Sequence, residues 1–310
     1  MSANTLSSRA IIGSFYDALE QNAAMSWVDP LSMLFQSNQP SETYVWLGQS
    51  PVMREWIGGR NAKGFRENGI TIANKKYEST LEIPVDWMRR DKTGQIMVRI
   101  NEMARRANAH WASLLSTLIL NGAAAVCYDG QYFFDTDHNE GDSGNQSNSI
   151  SYDSVSTTVP TTAEMQSAIL YGIQQLYGLV DDQGQPINED ANTFTVMVPV
   201  AFLQAAGAAL GATVVAQTSN VVAAVGNLGG FTVNLAVNPR LSSWTTKFAV
   251  FRADGDVSPF IRQEEEGIIM SSIAEGSELE FTKDIHQYGI KTLRNVGYGY
   301  WQKACLVTFV

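Results

Sequence analysis

Cysteine is nearly absent from this 310-residue chain, which has only Cys127 and Cys305. They lie far apart and no CxxC spacing exists, so both read as buried free thiols in a reducing cytoplasm. Long apolar runs are missing too. The most hydrophobic segment, Val196–Ala216, is interrupted by Pro199 and Gly207 and falls short of the roughly 18 residues of a membrane span. The first twenty residues carry one basic residue, Arg9, before a short apolar stretch, with no signal-peptide core. A soluble, cytosolic chain with no membrane partner is expected. Positive charge is scarce: 21 Lys and Arg stand against 31 Asp and Glu, a formal charge of -10. Such a chain gains no counterion-release affinity for DNA, which argues against sequence-specific nucleic-acid binding. GxGxxG, P-loop, GxSxG and HExxH patterns are all absent. The three histidines, His110, His138 and His286, are scattered. Each reads as a core or interface histidine, and no catalytic, cofactor or metal-binding residue is expected.

What the chain does have is aromatic anchors (seven Trp, eleven Tyr, thirteen Phe) and clear periodicity. Apolar residues at Ile96, Ile100, Met103, Ala107, Trp111, Leu114 and Leu118 step by three and four, which predicts one helix over 95–121, roughly 39 Å long. Gly94 precedes it and Asn121-Gly122 closes it. A 39 Å rod is a stiff element in a chain this size. Its Trp111 is predicted to be buried.

Residues 1–40 form a polar arm with an amphipathic helix near Ala10–Ala23, whose Ile11, Phe15, Ala18 and Leu19 share a face; the arm has no core of its own and is expected to be ordered only by packing on something else. Short strands are predicted at Tyr44–Leu47, Gly69–Ile72 and Tyr77–Val85, the last an edge strand or strand end because of Pro84. The whole segment 44–93 has too little apolar content to stand alone and is expected to lie on a neighbour. Beyond a Gly/Ser/Asn/Thr-rich loop at 139–161, Thr162 is predicted to cap a helix over Ala163–Tyr177. A strand at Phe194–Val198 follows, then a helix opened by Pro199, then strands at Phe231–Val237, Phe248–Phe251 and Ile268–Met270. The tail reads as β-rich, with segments at Glu278–Phe281, His286–Thr292 and Tyr298–Val310. The fold class is α+β.

Two constellations could carry chemistry. The run Phe133-Phe134-Asp135-Thr136-Asp137-His138-Asn139-Glu140-Gly141-Asp142 has the polar density of a metal loop. Its glycine falls at position seven and Gln146 at twelve, which breaks the calcium-loop pattern. Asp135 and Asp137 therefore read as turn-forming residues that cap backbone groups after a buried strand. Basic residues collect in 44–93: Arg54, Arg60, Lys63, Arg66, Lys75, Lys76, Arg89 and Arg90. They form either a solvated face or a charged strand pair that docks on an acidic neighbour such as Glu264-Glu265-Glu266 or Asp181-Asp182.

The stretch Cys127-Tyr128-Asp129-Gly130-Gln131-Tyr132-Phe133-Phe134-Asp135-Thr136-Asp137-His138 resembles one found in Mu-like phage major head subunits. So does the tail from Gln287 to Gln302 (QYGIKTLRNVGYGYWQ). Arg54-Glu55-Trp56-Ile57-Gly58 and Pro259-Phe260-Ile261-Arg262-Gln263-Glu264 add to the likeness, which spans about residues 40–310 in order. The resemblance implies the HK97-like capsid fold. Its parts would be an N-terminal arm (1–43), an extended E-loop (44–93), a peripheral domain (94–189) with the spine helix at 95–121, an axial domain (190–255) and a return to the peripheral domain (256–310). Inter-subunit contacts would come from E-loop residues Arg60, Lys63, Arg66, Lys75, Lys76 and Tyr77. The implied role is not enzymatic: pentamers and hexamers of an icosahedral head enclosing double-stranded DNA, assembled in the host cytoplasm and ending in the virion. Implied partners are a separate scaffolding protein, since the E-loop-like segment begins too early for a long scaffold region, together with a portal and decoration proteins. The same fold also serves encapsulin-type nanocompartments, which carry a cargo-binding N-terminal helix in place of a free arm. A metal-dependent hydrolase built on Asp135, Asp137 and His138 is the remaining alternative.

Overall fold

The computed structural model describes residues 7–21, 25–44, 69–90, 94–211, 214–215, 218–219 and 230–310. In chain order the elements are α1 (Ser8–Gln21), β1 (Ser32–Gln36), β2 (Ser41–Tyr44), β3 (Ile70–Ala73), β4 (Lys75–Pro84), α2 (Val85–Arg90), α3 (Gln95–Asn108) and α4 (His110–Leu120). Next come the two-residue strands β5 (His138–Asn139) and β6 (Asn145–Gln146), then β7 (Ser149–Tyr152), α5 (Thr162–Gly178), β8 (Thr193–Val198) and α6 (Leu203–Gly211). The short β9 (Val214–Val215) and β10 (Thr218–Ser219) precede β11 (Thr232–Val237), β12 (Lys247–Arg252), β13 (Phe260–Ile273), α7 (Glu278–Lys283), β14 (Ile285–Tyr298) and β15 (Ala304–Phe309).

Helices and strands mix as the sequence implies, and the strands form two larger sheets beside the two-stranded pairs β2–β3, β5–β6 and β9–β10. One has four strands in the order β1-β13-β14-β4; the other has five in the order β11-β8-β12-β15-β7. The four-stranded sheet is built on the long antiparallel β13–β14 hairpin, which has bulges between Glu264 and Ile269. β1 adds to it in parallel and β4 antiparallel at the other edge. β4 is thus an edge strand that ends at Pro84, where the missing N–H removes no ladder bond.

Each sheet has its own core. The larger packs α4, α5 and α6 on the five-stranded sheet through residues such as Leu115, Ile119, Ile169, Leu176, Phe248 and Val307. The smaller packs α1, α2 and α3 on the outer part of the four-stranded sheet, with Ile11, Phe15, Ile83, Met88, Ile100, Met270 and Tyr288 at its centre.

The predicted single rod at 95–121 is two helices joined at Ala109. That residue sits at φ -71°, ψ -5°, short of the helical ψ near -42°. Hydrogen bonding runs through the junction, from Ala109 N–H to the Arg105 carbonyl and from Ser113 N–H to the Ala109 carbonyl. The buried stripe changes there. In α3 it follows Ile96, Ile100, Met103 and Ala107, whereas in α4 it is Trp111, Ala112, Leu115 and Ile119, leaving the expected Leu114 and Leu118 only partly covered. The break lies where the rod passes from the smaller core to the larger. Trp111 is 9% exposed, with the Arg294 and Arg262 guanidiniums 4.6 and 5.6 Å from its ring centroid. Trp111→Ala should cost about 3–5 kcal/mol of stability in denaturant unfolding; an unchanged midpoint would contradict the packing.

Four other expectations change. The arm is not without a core, because α1 buries Ile11 and Phe15 completely in the smaller one. Segment 44–93 does not depend on a neighbour throughout. β2 pairs with β3, β4 pairs with β14, and Tyr44 and Ile72 pack on Ile261 within the chain; residues 45–68, including Val45–Leu47, lie outside the described residues. The cap of α5 is Thr161, one residue earlier than expected. Its hydroxyl accepts from Glu164 N–H while the Glu164 carboxylate accepts from Thr161 N–H, a reciprocal capping box. Finally, Glu278–Phe281 is helical, not extended. Ser277 caps α7 by accepting Glu280 N–H at 3.2 Å, and Glu278 and Glu280 sit in its first turn, where the helix dipole favours them. The segment 256–310 divides between the sheets, and its last strand, β15, lies between β12 and β7.

A buried polar centre and a candidate assembly groove

The two sequence stretches with the most distinctive residues meet in space. The first turns tightly: Cys127 N–H donates to the Gln131 carbonyl at 2.7 Å and Gly130 N–H to the Cys127 carbonyl at 3.2 Å. Gly130 has φ 90°, a conformation costly for any side chain. The second stretch leaves β14 at Tyr298 and crosses to β15 through residues 299–303. A Cβ on Gly299 would stand 2.6 Å from the Ser258 carbonyl oxygen, so only glycine fits that crossing. Cys127 Sγ faces the Gly299 carbonyl at 3.7 Å.

At their junction His138 is completely buried. Its ring lies flat on Trp301, with centroids 3.9 Å apart and planes 4° apart. Its Nδ1 is 2.5 Å from Asp129 Oδ2, and its Nε2 has no hydrogen-bond partner. Trp301 Nε1 donates to Glu140 Oε1 at 2.8 Å and Gln302 Nε2 donates to the same oxygen at 3.2 Å. The Tyr128 hydroxyl donates to Gln302 Oε1 at 3.1 Å. Asn148 Nδ2 donates to the Phe133 and Trp301 carbonyls at 2.8 and 3.2 Å. Burial raises the Glu140 carboxyl above the usual carboxylate range against the donated bonds. Burial, then the Asp129 charge, pushes the Cys127 thiol well up, away from the nucleophilic thiolate.

This geometry positions chain segments. The His138 nitrogen free to serve a nucleophile meets none, and among the described residues no three His, Cys, Asp or Glu side chains converge as a metal site. Asp135 takes the turn role read from the sequence, accepting Tyr132 N–H at 3.1 Å and Thr136 N–H at 2.8 Å. Asp137 is exposed, and a hydrogen bond with Asp135 raises its carboxyl. The partnership of His138 with Asp129 and Trp301 was not legible in the sequence. The one cue was that all three lie in the two distinctive stretches.

Of the candidate contact residues, Arg60, Lys63 and Arg66, with Arg54, lie outside the described residues. Lys75 and Lys76 are exposed at the start of β4, while Tyr77 turns inward, its ring 4.4 Å from that of His110. The acids expected to receive a basic strand are largely engaged within the chain. Glu266 pairs with Lys291 at 3.0 Å, Glu264 lies 3.9 Å from Arg294, and Glu265 accepts from Asn74 at 3.1 Å. Asp181 is buried and accepts the N–H groups of Gln183 and Gln185.

Beside Tyr77 a groove of about 370 Å³ opens between β4, the β13–β14 hairpin and α3. Its inner end holds His110, whose Nδ1 accepts from Arg294 Nε at 3.1 Å. Burial, then the Arg294 charge, pulls His110 from 6.5 down to about 4. In the unfolded chain the imidazole gains its proton near pH 6.5, and in the fold only near 4. The fold therefore loses stability as pH falls from about 6.5 to 4, by about 1–2 kcal/mol once the half-exposure of the ring is allowed for. Melting temperature against pH should fall more steeply for the wild type than for His110→Gln; parallel curves would contradict it.

The family model of the Mu-like prophage major head subunit gpT matches residues 8–163. A Mu-like prophage FluMu major head subunit of Haemophilus influenzae is 37% identical over 124 residues, 40% of either chain. The major capsid protein of Escherichia phage Mu is 35% identical over 140 residues, 43% of this chain and 46% of that one. The matches thus span less than half the length of either relative. The capsid structure of cyanophage P-SCSP1u, 11% identical, superposes with a TM-score of 0.57 over 100% of this chain and 92% of its own; it shares the HK97-like capsid fold. With the family model covering half of its length, the chain belongs to the family of Mu-like prophage major head subunits.

Proposed function

We propose that this chain is the major capsid protein of a tailed bacteriophage, assembling into pentamers and hexamers of an icosahedral head around double-stranded DNA. The observation that carries the reading is family membership over residues 8–163, which include the Cys127–His138 turn of the buried centre, in a capsid-type fold. In this reading α3 and α4 form the spine, 44–93 the E-loop, 94–189 with 256–310 most of the peripheral domain and 190–255 most of the axial domain. Arg60, Lys63, Arg66, Lys75 and Lys76 face neighbouring subunits. A scaffolding protein, a portal and decoration proteins complete the head, which assembles in the host cytoplasm. The net charge of -10 suits a shell that encloses DNA without gripping it by sequence. A nanocompartment shell is the second reading, because α1 is a docked helix and not a free arm.

Negative-stain images of the purified protein test the reading. Closed shells are expected, and a monodisperse subunit at high concentration would sink it. The ultraviolet absorbance ratio of shells formed in a phage-infected host then separates DNA-filled heads from protein-filled compartments. Because residues 70–80 pair with the chain's own β2 and β14, the E-loop test replaces only 45–68 with a Gly-Ser linker. The subunit should melt as before and form no stable shells.

A further inference from the structure

Phe281 is 91% exposed on α7. A lone exposed aromatic is ordinary, but exposed apolar side chains gathered in one place mark an interaction surface. Trp87 at 67% and Ile273 at 52% lie at the same end of the four-stranded sheet, where β4 and β13 finish and α2 and α7 begin. The α7 segment is acidic: from Glu275 to Asp284 the chain carries Glu275, Glu278, Glu280 and Asp284 against Lys283, while α2 at the same end carries Asp86, Arg89 and Arg90. The α3–β4 groove is its complement. Leu81, Met103, Ile268 and Ile290 give it apolar walls. Arg99 and Arg106 stand on its rim, their side chains 70% and 80% exposed and sharing the single carboxylate of Glu102 at 2.8 and 2.7 Å. Lys291, paired with Glu266, and Glu78 also line it.

We propose that the α7 tip of one copy seats in this groove on the next copy, with Phe281 inserted between the walls and the acidic flank meeting the Arg99–Arg106 rim. The inference rests on the shell-subunit reading. A cavity of this volume lies within the range that holds small ligands and accommodates a phenyl ring. Phe281 does not fill its own chain's groove: it is 91% exposed, and Lys291 in the groove lies six residues along β14 from Ile285 beside the tip, roughly 20 Å. Knob and groove are different patches on one surface, so the contact is head-to-tail. Repeated contacts of that kind close into a ring when the rotation per copy allows.

Phe281→Ala should melt like the wild type, since the side chain is 91% exposed, yet raise the concentration needed for assembly at least tenfold. A disulfide test locates the contact. Thr282→Cys, which keeps Phe281 in place, combined with Thr80→Cys on the opposite patch should give a ladder of linked subunits on oxidation, because the native Cys127 and Cys305 are buried. Thr282→Cys alone should not link. Linked pairs from that single variant would mean tip-to-tip packing and overturn the proposal, as would a missing ladder or an unchanged assembly threshold. If Phe281→Ala assembles like the wild type, the shell reading survives and this contact does not. If the unaltered chain forms no shells, that reading falls, and the ladder at high concentration still decides the contact.

Discussion

Trp301→Ala should lower folding stability by about 5 kcal/mol in urea unfolding, the largest single-residue effect expected in this protein. Trp301 is fully buried, so truncation leaves a cavity the size of an indole. It also removes the ring on which His138 lies and the N–H that Glu140 accepts, exposing both buried polar groups to the cost of unmade interactions. Trp301→Phe separates the contributions. It retains a stacking ring and loses the donor, at about 1–3 kcal/mol. A Trp301→Ala variant within 1 kcal/mol of the wild type would show that the centre does not hold the crossing from β14 to β15.

Phe15→Ala should cost the isolated subunit about 3–4 kcal/mol. Phe15 is fully buried against its own chain, and α1 is held further by polar contacts. Ser8 Oγ lies 2.7 Å from the Tyr288 hydroxyl, Tyr16 accepts Met270 N–H at 3.0 Å, and Asn108 Nδ2 donates to the Leu19 carbonyl at 2.7 Å. An arm ordered only by a lattice would leave the melting of dilute, unassembled subunits unchanged. A drop of several degrees in that sample therefore distinguishes an intramolecular helix from a lattice-bound arm, and a flat result would return α1 to the second class.

The sequence carried the α1 stripe, the first half of the rod, the strands at 194–198, 231–237 and 248–251 and the edge character of β4, because each depends on local periodicity or on proline. It misplaced Leu114 and Leu118 because a single period was run across two cores. The helical stripe shifts where α3 gives way to α4, and nothing local at Ala109 announces it. It read Glu278–Phe281 as extended because six residues are too short for a helical period to register; the Ser277 cap and acidic first turn were the usable cue. It offered the Glu264–Glu266 run as one acidic face on which a basic strand could dock, because cross-strand partners such as Lys291 follow from register, which the sequence does not print.

The sequence by itself determined the class of this protein: the family through its two distinctive stretches, the α+β content, and an apolar pattern that needs packing. The tertiary structure alone decided what those stretches do. His138, Asp129, Glu140 and Trp301 lie as much as 172 residues apart along the chain. They become one buried centre only because β14 must cross to β15 past the Cys127–His138 turn. The same pairing of strands placed an exposed Phe281 and a complementary groove at different points of one hairpin. Contacts of this kind follow from which strands lie side by side, a global property that local propensity does not contain.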